Sequence, residues 1–98
     1  MADKNTGAEG AAPSITFSSF VVGLATQALM FLGLVPDPRG NEVQKNPAEA
    51  AAIISVIEML AAKTKGNLNE DEAKLVEEVL FELRTRYVSE TRSGGKQA

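Results

Sequence analysis

FSSFVVGLATQALMFLGLV, residues 17–35, carries no charged side chain, on a chain that elsewhere places one every few residues. Read as a helix, the run has no charged face. A surface helix of a small domain shows an apolar stripe and a polar back, so these residues ask for contact on nearly every side. Two neighbouring helices cannot easily supply all of it. The excess points to self-association or to a bilayer.

The ends of the run are punctuated as helix ends are. Thr16 is placed to cap an orphan N–H of the first turn, and Ile15 and Phe20 hold the two positions of a hydrophobic staple. Gly33 suits the left-handed position just past the helix, with Leu34 folding back on Leu29. Pro36 and Pro38 block continuation. The first helix is therefore expected at about 16–32.

Two more helices follow. Asn46-Pro47-Ala48-Glu49 reads as cap, first helical position and a glutamate able to reach back to the cap N–H. The helix so opened runs over about 47–65 and ends at Gly66, with Ala50, Ile53, Ile54, Ile57, Leu60, Ala61 and Thr64 on one stripe. Asn69 precedes Glu70, Asp71 and Glu72, acids that the helix dipole favours in a first turn. The third helix is expected over about 70–88, with Ala73, Val76, Val79, Leu80, Leu83 and Tyr87 facing inward. The link Gly66-Asn67-Leu68 makes the last two helices an antiparallel hairpin. The fold expected is all-α: a small three-helix domain over 15–89, between mobile polar tails at 1–14 and 90–98.

The connection from Val35 to Lys45 is longer than bundles usually need. Arg39-Gly40-Asn41 reads as a turn, and Glu42-Val43-Gln44 as a brief extended segment. The segment reads as a strap across the bundle end in preference to a binding loop.

Composition removes several functions. A net charge of -3 and a pI near 4.9 argue against a nucleic-acid binder. The chain has no cysteine, hence no disulfide and no thiolate metal site, and no histidine, hence no Ser-His or Cys-His nucleophile. The small polar N-terminus balances Lys4 with Asp3 and Glu9 and lacks the pattern of a secretory signal. A cytoplasmic protein without cofactor or metal is expected.

Ile15-Thr16-Phe17, Leu24-Ala25-Thr26-Gln27-Ala28-Leu29 with Gly33, and Pro36-Asp37-Pro38 form a recognisable series. It continues through Glu58-Met59-Leu60, Lys63-Thr64-Lys65-Gly66-Asn67-Leu68 and Glu72 to Leu83-Arg84 and Tyr87-Val88. Together these resemble the bacterial family known as Domain of Unknown Function 1844, from about Ile15 to Val88. The resemblance implies a small α-helical bacterial protein and brings no activity, substrate or catalytic residue. Where the family tends to longer side chains early in the second helix, this chain has Ala48 to Ala52 broken only by Glu49.

Within the first helix, Phe17, Phe20, Val21, Leu24, Ala28, Phe31 and Leu32 cover one broad side, expected against the other two helices. Opposite lie Ser19, Gly23, Thr26 and Met30, slim residues over which another backbone can approach. Gly inside a helix costs about 1 kcal/mol against Ala, so Gly23 suggests a packing reason. These four residues are the expected homodimer interface, the copies being related by a two-fold axis. Phe81, set among Lys74, Glu77 and Glu78 off the third helix's stripe, is a possible second contact, covered by the long loop or by another subunit.

The bilayer reading has the length in its favour: Phe17 to Val35 is 19 residues, about 28 Å as a helix. Against it stand Ser18, Ser19, Thr26 and Gln27 and the lack of anchoring residues at both ends. For catalysis Asp37, Glu58, Arg84, Arg86, Tyr87 and several lysines are available, and Glu58 with Arg84 reads as an ion pair between neighbouring helices. No paired-carboxylate site, phosphate loop or metal spacing emerges. A non-catalytic, self-associating assembly module with an unidentified protein partner is therefore expected. The alternatives are a membrane-associated accessory protein anchored by helix 1 and a binder of small apolar ligands under the Pro36–Lys45 loop.

Overall fold

Helix α1 (Phe17–Phe31) opens where Thr16 stays extended and caps it. Thr16 Oγ1 accepts from Ser19 N at 3.0 Å, while Ser19 Oγ accepts from Thr16 N at 3.1 Å. This is a reciprocal capping box with serine in the place usually held by glutamate. At the other end Gly33 adopts φ +80°. Its N–H donates to Met30 O and that of Leu34 to Leu29 O, each at 2.9 Å. These are the two bonds of a Schellman closure. The apolar run is thus broken at Gly33, and the helix itself spans 15 residues, about 22 Å.

The chain then crosses the end of the molecule and returns to the same place. Asn46 N donates at 2.7 Å to Phe31 O, a terminal carbonyl of α1. Glu49 had been expected to take the Asn46 N–H. That donor goes instead to the preceding helix, pinning the start of helix α2 (Pro47–Lys63) to the end of α1. The cap itself is as expected, Asn46 Oδ1 accepting from Glu49 N at 3.2 Å. Helix α3 (Glu70–Gln97) starts with a second reciprocal box, Asn69 Oδ1 accepting from Glu72 N at 2.8 Å and Glu72 Oε1 from Asn69 N at 2.9 Å.

The computed structural model describes residues 14–42 and 44–97, and in these three helices without a strand make up the regular structure. The tail expected at 1–14 lies outside the described residues except for Ser14, and so does Val43 of the expected extended segment. Helix α3 passes the expected end near Val88 by two turns or more. Nothing in Ser89-Glu90-Thr91-Arg92 breaks a helix, and Thr91 Oγ1 bonds back to Tyr87 O at 2.8 Å. Polarity alone does not end a helix.

All three helices pack on one another, and the core takes residues from each. Val21, Ile57 and Leu83 are the largest fully buried members of the shared cluster. Leu24, Ile53, Val79 and Tyr87 close its margin. Ala50 is fully buried as well, while Ala48 and Ala52 on the same turn of α2 are exposed. Two residues expected inside are not. Ala73 is exposed, and Phe20 retains 47% of its surface.

Candidate interaction site on helix α1

Phe20 and its neighbours define the outward side of α1. Ile15 is 77% exposed, Val22 is half exposed, and Ser19, Gly23 and Gln27 lie open to solvent. The two staple residues thus share a cleft without covering each other. The hydroxyls here are turned onto their own helix. Ser19 Oγ is engaged with Thr16, and Thr26 Oγ1 donates to Val22 O at 3.0 Å. Hydroxyls occupied in this way demand less from water, which leaves the Gln27 amide as the exposed polar group of this face. A Cβ built on Gly23 would meet nothing within 4 Å. The space above this glycine is empty, and no contact within the chain requires a glycine there.

Two clefts meet at Gly23 and Gln27. The one toward the N-terminus, about 210 Å³, is bounded by Ile15, Ser19, Phe20 and Leu24. The one toward the C-terminus, about 310 Å³, is bounded by Thr26, Met30 and the strap residues Pro38 and Arg39. Met30 was expected on the exposed interface with Ser19, Gly23 and Thr26. It is buried at 8% exposure and forms part of the cleft's wall, because the returning strap lies against it.

Asp37 holds the strap in that position. Its side chain is buried. Oδ1 accepts from Arg39 N at 2.8 Å and from Arg39 Nε at 3.2 Å, and Gly40 N donates to Asp37 O at 2.9 Å. The Arg39 backbone N–H, foremost, and its guanidinium hold the carboxyl below its ordinary 3.8, outweighing the opposing effect of burial. An acid whose folded pKa is depressed stabilises the fold above its unfolded value, and this contribution is lost as pH falls through the folded value. The strap is therefore expected to stay in place down to about pH 4 and to loosen only below it. Thermal melts of the wild type and Asp37→Asn should differ by a constant amount above about pH 5 and converge toward pH 3.

The family described as Domain of unknown function (DUF1844) matches residues 14–89. The chain belongs to that family. No curated protein and no solved structure matches it. The matched span of this DUF1844 chain takes in the capping box, the strap and both hairpin helices, so the α1 face is part of the family domain.

Elsewhere on the domain, charged side chains pair across the surface. Glu58 Oε2 accepts from Arg84 Nη2 at 2.8 Å and from Nε at 3.0 Å, the pair expected from the stripe edges. At this exposure such a pair contributes at most about 1 kcal/mol. Lys45 Nζ donates to Glu90 Oε1 at 3.0 Å, tying the strap's end to α3. Beside the Glu58–Arg84 pair, Ala51, Ile54, Tyr87 and Val88 line a shallow cleft of about 240 Å³.

Phe81 is 70% exposed. The long loop does not cover it as expected, because the loop is spent on Met30 at the other end of α1. Phe81→Ser is accordingly expected to leave the melting temperature of the folded chain within about 4 °C, since exposed positions shift stability by at most about 0.5 kcal/mol. Differential scanning calorimetry checks it.

Proposed function

We propose that this protein is a non-catalytic, self-associating assembly module of the bacterial cytoplasm, and that it associates through the outward face of α1. The observation that carries the reading is the state of that face. Ile15 and Phe20 stand exposed on one cleft beside a glycine with open space above it, and the Ser19 and Thr26 hydroxyls are satisfied by their own backbone. Ile15 and Phe20 together form an exposed apolar patch beside the slimmest position of the helix, of the kind that marks a contact site.

Other features support a role without chemistry. The sequence has neither histidine nor cysteine, and Asp37, Glu58, Glu82 and Glu90 are each engaged with a cation. Among the described residues no helix is long and apolar enough to cross a membrane. At about 22 Å, α1 falls short of a hydrocarbon core of about 30 Å.

Contact between two such short helices sits at the low end of specific interfaces, below about 1,200 Å² in total. The expected dissociation constant is micromolar. Sedimentation velocity from about 1 to 300 µM should show mass rising from monomer to dimer. A monomer at every concentration removes the proposal.

A further inference from the structure

Met30 is buried without belonging to the core. It shares the outward side of α1 with Gly23 and Thr26 and takes no part in the cluster that the three helices build together. What covers it is the strap. Two clefts lie between them, the one of about 310 Å³ already described and another of about 360 Å³ bounded by Met30, Val35, Pro36 and Asn41. The strap therefore lies over Met30 without sealing against it.

Between its ends the strap is thinly attached. Of residues 35–42 only Asp37 is buried; Val35 is partly buried and the others are exposed. Pro36 and Pro38 have no N–H to donate. Among the described residues, the hydrogen bonds of 35–42 stay inside that stretch. The Arg39 backbone and guanidinium donate to the Asp37 carboxylate, and Gly40 N donates to the Asp37 carbonyl. Asp37 can thus leave its buried place without losing a partner, because its partners travel with it. The ends are held differently. Leu34 N donates to Leu29 O, Asn46 N to Phe31 O, and Lys45 Nζ to Glu90 Oε1. Both backbone anchors sit on the last turn of α1, beside the left-handed Gly33. A segment with close, bonded ends and a self-bonded interior that buries little apolar surface opens locally, at a fraction of the cost of global unfolding.

We propose that residues 35–42 form a lid that swings as one preassembled turn between the anchors at Leu34 and Lys45-Asn46, covering Met30 when closed and uncovering it when open. Closed, it is the C-terminal wall of the α1 face. Open, it adds the Met30 side chain to Gly23 and Thr26, so the lid sets how much apolar surface that face presents. The lid is a property of the single chain and is independent of the self-association reading.

The chain supplies its own probes. Met30 is 8% exposed and Met59 is 47% exposed, and hydrogen peroxide converts an accessible methionine to its sulfoxide. The full wild-type chain is oxidised to low conversion at a concentration where sedimentation shows monomer, and each site is read by peptide mass spectrometry. Met30 is expected to react at least about tenfold more slowly than Met59, with a urea dependence below about a quarter of the slope of global unfolding. The ratio of the two rates should be the same with chloramine-T, a bulkier oxidant, because an open lid admits both reagents. Met30 reacting as fast as Met59 means that the strap gives no cover. A urea slope equal to that of global unfolding means a strap fixed to the fold. A Met30-to-Met59 ratio that falls for the bulkier oxidant means entry through the clefts beneath a closed strap. Each of these three results overturns the proposal.

Discussion

Leu83→Ala is expected to lower the melting temperature by at least about 10 °C. Leu83 is 1% exposed and belongs to the cluster in which Val21 of α1 and Ile57 of α2 are also fully buried. Truncating a buried leucine removes its transfer free energy and leaves a cavity, together costing about 2–5 kcal/mol. A domain of this size buries a modest fraction of its surface and sits near the low end of the usual 5–15 kcal/mol of stability. The loss is therefore a large share of the total. Because each helix contributes one fully buried large side chain to this cluster, no pair of helices retains it once the third is loosened. The variant should melt in one transition seen alike by far-UV circular dichroism and calorimetry. Val88→Ala, at a half-exposed position of the same helix, is the matched control and should move the midpoint by only a few degrees. A Leu83→Ala midpoint within that range would mean that α3 does not pack on α1 and α2 as described.

The elements that could be read from the residues are those decided by near neighbours. Thr16, Gly33, Asn46 and Gly66 mark helix ends because their hydrogen bonds or left-handed backbone involve residues only a few positions away. The inward stripes of α2 and α3 were legible for a similar reason, since a helical period repeated over several turns states which side is buried. The position of Met30 was not legible in this way. On the wheel it belongs with Ser19, Gly23 and Thr26, and only the course of the returning strap buries it. That course depends on Asp37 folding onto Arg39 and on Asn46 reaching back to Phe31. The Asp-Pro-Arg-Gly order at 37–40 was the available signal, an aspartate able to bond its own chain two residues on. Phe20 reads as inward because it borders the apolar stripe, and a border residue is placed by the angle between helices. Those two reassignments gave the α1 face its form, the buried Met30 supplying a wall and the exposed Phe20 a projection.

Gly23→Leu is expected to move stability and association in opposite directions. Within a single chain the position is a helix interior with no atom within 4 Å of a Cβ. Leucine there relieves the cost of glycine in a helix, about 0.8–1 kcal/mol, without a steric penalty. Measured well below the dimer's dissociation constant, the melting temperature should rise by roughly 4–6 °C. In the proposed association the same side chain stands on the contacting face of α1 and holds the second copy away. The dissociation constant should then rise more than about tenfold, the equivalent of 1.4 kcal/mol. Gly23→Ala should gain nearly the same stability and lose less association. This opposition separates an interface from a merely tolerant surface. A glycine kept for folding would give a less stable leucine variant, and a glycine on an idle surface would give a more stable one that associates as before. If sedimentation finds the Gly23→Leu chain dimerising like the wild type, the contact does not run through this residue.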